Sequence, residues 1–521
     1  MHLILKLLAG VTAIFVLLCL KSELDELLYR RRARKHGCES PFYYSERPLG
    51  IKTFWDLRAA NQKLAVFQWF QYKFANYNMR TGRIELLGNK ILLTMDPEVI
   101  KTVLATSFKD YSLGQRYEQM TPLLGNGIFT LSGDGWKHSR AMLRPQFSRD
   151  QVSQLTSLQE HVGVLVDILR KKSLNPQGND NPDGTFDIQV LFHQLTLDTS
   201  TEFLFGSSVD SLRDSKKRVK GTTMEVSASE FAEAFNTSLF YLSLRTQATK
   251  LYFLVDSFEF RRNIKICKNF VEHFVYKTLE VEKIPDEPDR YIFIQEMARQ
   301  TRDPNVIRDQ AFNILLAGRD TTAALLSFTI LRLAHDKRVW FKLREIVLEE
   351  FGTPEDDTIT FESIKKCQYL NFVMNEVLRL HPAVPLNVRT AIRDTVLPRG
   401  GGSDESKPVL VEKGTMVAYS VHVMQRDKRL WGPDAEKFYP ERWESSELHT
   451  WDFLPFNGGP RICLGQQFAL VEAGFTLIRI LQNFKDVELS QSKLDRGLEL
   501  QDLKLTTQAG SPGVPVRFTP A

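Results

Sequence analysis

A cysteine in a glycine-rich turn is the residue of this chain whose surroundings most clearly indicate chemistry. Cys463 lies in the run Phe456-Asn457-Gly458-Gly459-Pro460-Arg461-Ile462-Cys463-Leu464-Gly465, directly before a helix-compatible segment at 466–481. A thiol at a helix N-terminus is exposed to the positive end of the helix dipole and to unpaired backbone N–H groups, which favour its thiolate. The turn therefore predicts a metal-ligating or reactive sulfur.

The neighbours of Cys463 fit ligation of haem iron, where a thiolate donates electron density that favours O–O cleavage. Gly459 permits a tight turn, and Gly465 lets the backbone approach a flat macrocycle. Phe456 can shield the sulfur, and Arg461 can pair with a haem propionate. The alternative is a buried structural cysteine, a common core residue. The coincidence of five positions favours the haem ligand.

The same five positions match the pattern Phe-x-x-Gly-x-Arg-x-Cys-x-Gly without a departure. In this the chain resembles the cytochrome P450 monooxygenases. The resemblance implies heme b with Cys463 as the axial iron ligand. It also implies electrons supplied from NADPH through NADPH-cytochrome P450 reductase, and a mainly α fold with small β-sheets.

A second constellation lies in a long, mostly apolar helical pattern at 305–335, which contains the run Ala317-Gly318-Arg319-Asp320-Thr321-Thr322. Each buried polar group without a partner costs about 1–3 kcal/mol, and such local conflicts usually mark function. The alternative is that the threonines bond to the preceding helical turn and the charges lie at a solvent edge.

The resemblance to cytochromes P450 assigns this run to oxygen activation. Ala317 and Gly318 would leave room for O₂ above the iron. Thr321 and Asp320 would be the catalytic pair that supplies protons for O–O cleavage.

Two further sites are implied to bind the haem propionates. Trp136 and Arg140 are spaced i and i+4, on one helical face, and Arg389 follows at a second propionate position of the family. Taken alone, either arginine would be assigned to the surface. His138 is a conceivable axial ligand, but a surface or core histidine is the more common role.

A structural ion triad is also implied. Glu376 and Arg379 lie at i and i+3 on one helical face, a spacing that is usually a surface pair worth about 0.2–0.5 kcal/mol. Arg442 lies in Pro440-Glu441-Arg442-Trp443, ahead of Cys463 as in the family. The resemblance predicts that the three residues form a buried triad that locks the haem-binding core.

Hydrophobic periodicity predicts a chain of helices with a few strands. Helices are predicted at 53–77, 151–171, 187–205, 227–241, 261–281, 305–335 and 364–380. Hairpins are predicted at 83–94, around Gly88-Asn89, and at 409–423, around Lys413-Gly414, with short strands at 489–518.

The N-terminus predicts a membrane anchor. Residues 3–20 are apolar except for Lys6 and Thr12, and a basic block at 30–35 follows, which would keep the downstream chain in the cytosol. A cleaved signal peptide or a buried core helix are the alternatives. The expected organisation is an anchor at 1–21, a basic and Pro-containing linker at 22–50 and one catalytic domain at 51–521. The predicted location is the endoplasmic reticulum membrane, crossed once.

The composition excludes several classes of protein. The chain has 521 residues, 43% of them hydrophobic and 25% charged, with no long linker or internal repeat. Its five cysteines lack paired spacing, which favours a reducing compartment. The net charge of +5 without a basic stripe gives no support for nucleic-acid binding.

The resemblance is closest to the fungal alkane and fatty-acid ω-hydroxylase group. It rests on the segments at 122–129, 138–140, 202–206, 300–304, 317–322, 397–402 and 457–461. The implied reaction is hydroxylation of the terminal or near-terminal carbon of a long alkyl chain, an n-alkane or a fatty acid. Val384 and Leu386 are candidate pocket residues, with strand core as the alternative. Similarity is weakest at 207–289, where the family builds its access channel.

Three other functions stay open from sequence. A tailoring oxidase would hydroxylate the alkyl tail of a polyketide or terpenoid in a secondary-metabolite pathway. A haem-thiolate isomerase or dehydratase would need neither O₂ nor a reductase, and the presence of Asp320 and Thr321 argues against it. A non-enzymatic haem carrier would have no use for those two residues.

Overall fold

The computed structural model describes residues 2–44, 49–147, 155–179, 181–213, 226–281, 291–356, 358–444, 450–498 and 500–521. Helices dominate and the sheets are small, as predicted. The helices are α1 (His2–Lys35), α2 (Ile51–Gln62), α3 (Val66–Tyr77), α4 (Pro97–Lys101), α5 (Arg116–Leu124), α6 (Gly133–Leu143), α7 (Thr156–Leu174), α8 (Ile188–Phe205), α9 (Ala228–Gln247), α10 (Phe258–Leu279), α11 (Phe293–Gln300), α12 (Pro304–His335), α13 (Lys337–Phe351), α14 (Phe361–Lys366), α15 (Gln368–Leu380), α16 (Val421–Met424), α17 (Lys428–Trp431), α18 (Gln466–Asn483) and α19 (Gln491–Arg496).

The strands are β1 (Phe42–Tyr43), β2 (Thr81–Leu86), β3 (Asn89–Thr94), β4 (Tyr111–Ser112), β5 (Phe186–Asp187), β6 (Leu386–Ala391), β7 (Thr395–Gly401), β8 (Lys407–Val411), β9 (Met416–Ser420), β10 (Phe484–Leu489), β11 (Gln501–Leu503), β12 (Thr507–Ala509) and β13 (Pro515–Pro520).

The chain forms two compact units that are each discontinuous in sequence. Unit 1 comprises Met1–Gly114, Pro385–Ala435 and Leu448–Ile462, and unit 2 comprises Gln115–Val384, Glu436–Glu447 and Cys463–Ala521. Unit 1 holds a sheet of order β1-β2-β3-β9-β6-β4 and the pair β7-β8. Unit 2 holds most of the helices, the sheet β10-β13-β5 and the pair β11-β12.

Several predicted elements are confirmed and three need correction. The first hairpin is confirmed as β2–β3, with its turn at Leu87-Gly88. The second hairpin is wrong, because β8 pairs with β7 while β9 joins β3 and β6 in the larger sheet. The helices predicted at 53–77 and 364–380 are each divided in two, at 63–65, where Leu64 has a φ of 58°, and at Cys367. The start of the helix predicted at 151–171 lies outside the described residues.

Helix α1 has two parts with different surroundings. Its N-terminal part is apolar and exposed, and the whole of Ile4–Lys35 is long enough to cross a membrane by length and composition alone. Its C-terminal part packs on unit 1, where Glu26 pairs with Arg83 at 2.8 Å and Tyr29 donates a hydrogen bond to the Leu410 carbonyl at 3.0 Å. Residues 22–35 are therefore helical; the domain boundaries at 21 and 50 stay predictions. The second helix of sufficient length and hydropathy, α12, is mostly buried.

Candidate active site

The glycine-rich turn before Cys463 is held tightly within unit 1. Gly459 opens a short 3₁₀ turn with a φ of 67°, and a Cβ there would lie 2.1 Å from the Leu104 carbonyl oxygen. Only glycine combines this left-handed conformation with so close an approach. Asn457, also at positive φ, accepts a hydrogen bond from the Tyr419 hydroxyl at 3.1 Å. The tight turn predicted at Gly459 is thus present.

Cys463 opens the last segment of unit 2, just before α18, whose N-cap is Gly465. Among the five cysteines it is the exposed one; Cys38, Cys267 and Cys367 are buried. Although its side chain is accessible, the protein atoms around it raise the pKa of the Cys463 thiol, and a hydrogen bond from the Gly465 N–H and the charge of Arg140 oppose that rise.

This arrangement fits a haem thiolate better than a core cysteine. The Cys463 sulfur is accessible, but the protein atoms around it disfavour its charged form. Such a sulfur is a stable thiolate only when a cation, such as an iron ion, lies next to it. Burial also raises the pKa of the Cys267 and Cys367 thiols, to about 12. What separates Cys463 from these core cysteines is therefore its exposure and not the direction of its pKa shift.

The predicted propionate pair of α6 lies on one helical face. The Arg140 guanidinium stands 5.9 Å from the Trp136 ring centroid. Burial lowers the pKa of Arg140, while its interaction with Cys463 opposes that shift. Arg140 and Cys463 are thus electrostatic neighbours within unit 2. His138 is exposed on the same helix and has the surroundings of a surface histidine.

In unit 1, Arg389 on β6 is buried and donates to the Asn387 side chain at 3.1 Å and to the Val388 carbonyl at 2.8 Å. Its Nε has no hydrogen-bond partner among the described residues. A buried guanidinium with an unsatisfied donor fits an anionic group such as a carboxylate. Phe456 and Arg461, also in unit 1, are half-buried.

Helix α12 has one accessible face in an otherwise buried stretch. Between Asp309 and Ala334 every residue is buried except Leu316, Ala317, Gly318 and Thr321. Positions i, i+3 and i+4 share one face of a helix. Ala317, Gly318 and Thr321 are therefore neighbours and partly exposed, although a Cβ on Gly318 would lie 3.0 Å from the Ser200 hydroxyl of α8. Their role in oxygen binding stays a prediction.

The Thr321 hydroxyl donates to the Ala317 carbonyl at 2.6 Å, the backbone bond considered as the alternative to a functional role. Asp320 is buried beside Arg319 and beside His193 of α8, with its Oδ1 3.4 Å from Arg319 Nη1 and 3.7 Å from His193 Nδ1. The charges of this run are thus inside the protein and not at a solvent edge.

The ion triad is present in unit 2 and is buried. Arg379 makes two bonds of 2.8 Å to the Glu376 carboxylate, and Arg442 Nε lies 3.4 Å from the same group. The Tyr439 backbone and the Trp443 indole also donate to Glu376, at 3.0 and 3.2 Å. Because the Glu376 carboxylate accepts all of these hydrogen bonds, it fixes the segment that contains Tyr439, Arg442 and Trp443 to α15.

Two features were not singled out from sequence. Glu472, nine residues after Cys463 on α18, is buried, and Thr199 of α8 donates to it at 2.5 Å. Burial raises the pKa of Glu472 to about 7. An acidic residue in the apolar run of α18 was a detectable signal of the same kind as the one at Asp320.

The other missed feature is the attachment of the 125–130 loop to α12. The Asp309 carboxylate accepts from the Asn126 N–H at 2.7 Å, and Asn313 accepts from the Phe129 N–H at 3.1 Å. Gly127 packs so closely that a Cβ would lie 2.1 Å from the Asn313 amide nitrogen. This explains the glycines of the 122–129 segment as docking positions.

Comparison with known proteins gives a family match over most of the chain. The family described as Cytochrome P450 matches residues 51–510. Cytochrome P450 52-E3 of Starmerella bombicola and Cytochrome P450 52E1 of Candida apicola are each 48% identical over 501 residues, 94% of this chain and 94% of each relative. Cytochrome P450 52A12 of Debaryomyces hansenii is 46% identical over 465 residues, 87% of this chain and 88% of the relative.

Proposed function

From the premise that this chain belongs to the cytochrome P450 family, we propose that it hydroxylates the terminal or near-terminal carbon of an n-alkane or fatty acid. Membership makes it a monooxygenase that uses haem with an axial cysteine and electrons from a reductase. The alkyl substrate and the position of attack are the proposed part.

The observation that carries the substrate class is the similarity to the Cytochrome P450 52 relatives. The accessible Cys463, placed before α18 with Arg140 as its electrostatic neighbour, supports the haem assignment. We assign Cys463 as the axial ligand. Trp136, Arg140, Arg389 and Arg461 would bind the propionates, because each can donate hydrogen bonds to a carboxylate. Phe456, Gly459 and Gly465 would shape the turn around the sulfur.

Haem, when bound, supplies the oxygen chemistry: one atom of O₂ enters a C–H bond and the other leaves as water, with two electrons and two protons consumed. In this proposal, residues of α12 provide the space for oxygen and supply the protons. Ala317 and Gly318 leave space on the accessible face, and the Thr321 hydroxyl can turn from the Ala317 carbonyl towards that space. Asp320 is the proposed source of protons.

A membrane location suits this substrate class. Apolar alkyl chains partition into bilayers, and the exposed apolar part of α1 is a candidate anchor. In unit 2, Leu254 and Phe258 are 71% and 91% exposed, an apolar surface suited to lipid. The proposal also places the protein in the endoplasmic reticulum membrane, crossed once, with the catalytic part in the cytosol. The proposed electron donor is NADPH-cytochrome P450 reductase.

The test is reconstitution of the full chain with reductase and NADPH, offering n-alkanes, fatty acids and alkyl-bearing polyketides or terpenoids. We expect NADPH-dependent products whose new hydroxyl, at the terminal or adjacent carbon, carries one atom from ¹⁸O₂. Oxidation of only the polyketide or terpenoid tails would assign the chain to a tailoring pathway. Turnover without NADPH would indicate an isomerase, and haem binding without any product would indicate a carrier.

A further inference from the structure

A group of polar side chains, buried or nearly so, lies on two helices of unit 2. His193 belongs to α8, and Arg319 and Asp320 belong to α12. Asp320 Oδ1 is 3.7 Å from His193 Nδ1 and 3.4 Å from Arg319 Nη1. The first distance is slightly too long for a direct hydrogen bond, and a small rotation of either side chain brings the two atoms within hydrogen-bond distance.

Four polar atoms of this group are buried and have no hydrogen-bond partner among the described residues. They are both ring nitrogens of His193, Arg319 Nε and Asp320 Oδ1. Leaving one such group unsatisfied costs about 1–3 kcal/mol, and native proteins usually satisfy them with ordered water. The concentration of four in one place indicates a polar site that holds water.

Burial keeps the ring of His193 neutral. Burial lowers the pKa of His193 to about 4; Asp320 opposes this shift, and Arg319 and Lys504 add to it. A neutral imidazole has one donor and one acceptor nitrogen. It can therefore accept a hydrogen bond from water while it donates to another group, which a histidinium cannot do.

We propose that His193 is a positioning residue: its Nδ1–H, after a small rotation, donates to Asp320 Oδ1 and holds this carboxylate in place for proton delivery, while its Nε2 binds buried water. The inference rests on the proposed role of Asp320. It adds a residue on α8 and a water site to that role. His193 does not itself touch the reacting atoms.

The functional test compares His193→Leu with His193→Gln. Leucine removes both polar atoms, whereas glutamine keeps a donor and an acceptor but cannot titrate. We expect His193→Leu to form less product per NADPH oxidised, by roughly fivefold, which corresponds to one lost hydrogen bond of about 1 kcal/mol. The lost electrons should appear as hydrogen peroxide. His193→Gln should retain most of the coupling, with substrate affinity unchanged in both.

A matched control is available on α10. His273 is half-buried, also has an unpartnered ring nitrogen, and faces Lys277 and Glu280. His273→Leu should leave coupling unchanged. Equal coupling in His193→Leu and wild type, or equal losses in His193→Leu and His193→Gln, would overturn the inference.

A second readout does not depend on turnover. In full-length protein with ¹³C-labelled histidine rings, reduced and CO-bound so that the iron is diamagnetic, His193→Gln identifies the His193 signal. We expect that signal to stay that of a neutral ring down to about pH 5, because burial lowers the pKa of His193 to about 4. Asp320→Asn should lower the pKa of His193 further, because an attractive charge is lost.

Titration of His193 near 6.5, unaffected by Asp320→Asn, would show a solvated ring and would refute the proposal. The two hypotheses fail differently. Loss of the hydroxylase assignment would appear in the wild type as an absent thiolate-haem spectrum or absent product. Failure of the His193 inference would leave both in place and would appear only in the coupling and in the histidine titration.

Discussion

At the scale of single residues, the candidate iron ligand Cys463 differs from the other cysteines of the chain in its surroundings. Cys463 is exposed beside Arg140, whereas Cys267 and Cys367 are buried with thiol pKa values raised to about 12. Thr321 and Thr329 of α12 both donate to the carbonyl four residues earlier, but only Thr321 lies on the accessible face. Each candidate residue therefore has a control residue of the same type elsewhere in the chain.

Cys463→Ser should abolish the reduced-CO absorption shift that a thiolate-ligated haem gives, because a serine hydroxyl is not ionised at neutral pH and is a poor ligand for haem iron. The measurement is the reduced-CO difference spectrum of the full chain. Cys267→Ser is the control, since its hydroxyl can still pair with Ser238 in the core. An unchanged spectrum in Cys463→Ser would remove Cys463 as the ligand.

Thr321→Ala should keep the haem spectrum but divert electrons to hydrogen peroxide, because the hydroxyl on the accessible face is lost. Thr321→Ser should restore coupling. Thr329→Ala loses the same type of backbone bond in a buried place and should stay coupled. The ratio of product to NADPH oxidised measures the effect; tight coupling in Thr321→Ala would count against its proton role.

At the scale of elements, α12 is the frame to which other parts of unit 2 attach. Asp309 and Asn313 bind the 125–130 loop, Asp320 approaches α8, and Thr199 of α8 bonds to Glu472 of α18. Three helices are thus joined by buried polar groups near the accessible face. Such contacts require close approach, as Gly127 shows where it packs against Asn313.

Gly127→Ala should destabilise the protein by about 1–3 kcal/mol, as overpacking does. The new Cβ would lie 2.1 Å from the Asn313 amide nitrogen, so the loop must move away from α12. Gly163→Ala on α7 is the contrast: nothing lies within 4 Å of its Cβ, and alanine should stabilise the helix by roughly 0.5–1 kcal/mol. Thermal unfolding of both variants measures the difference.

Glu472→Gln should change how stability depends on pH. Burial raises the pKa of Glu472 from 4.5 to about 7, so the folded state binds the proton more tightly than the unfolded state. This contribution is fully present below pH 4.5 and is lost as the pH rises to about 7, a difference of about 3 kcal/mol. The wild type should therefore lose more stability than Glu472→Gln between pH 5 and 7.5 in thermal unfolding. Parallel profiles would exclude a titrating Glu472.

At the scale of the whole molecule, α1 combines an exposed apolar segment, the candidate anchor, with a segment that packs on unit 1. The N-terminal part is exposed and apolar, and the part beyond Ser22 contributes Glu26 and Tyr29 to the packing of unit 1. The candidate anchor and the first contacts of the folded part therefore lie on one continuous helix.

Deletion of residues 2–21 should release the protein from membranes while the reduced-CO spectrum and thermal stability stay close to wild type. Deletion of 2–35 should also destabilise the protein, because the Glu26–Arg83 pair and the Tyr29–Leu410 hydrogen bond are lost. Sedimentation of membranes after a carbonate wash measures attachment. A truncated 22–521 chain that stays in the membrane pellet would show that α1 is not the sole attachment.

The sequence by itself determined the features that depend on local chemistry. The cysteine turn, the β2–β3 hairpin and the long helix α12 follow from residue type and short spacings, which act within one or two turns of backbone. The ion triad was predicted from the family resemblance, since Arg442 lies 66 residues after Glu376. The sequence alone missed Glu472 because a single acid in an apolar run has no local partner to reveal its role.

Only the tertiary structure decided the features that depend on distant segments. Alternation predicted strands at 409–423 but could not select their partners, since an exposed strand edge accepts any neighbour of suitable register. Which cysteine is accessible, and that Asp320 meets His193 some 130 residues earlier, likewise depend on how α8, α12 and α18 pack. The sulfur's chemistry is local, but its accessibility is a property of the packed chain.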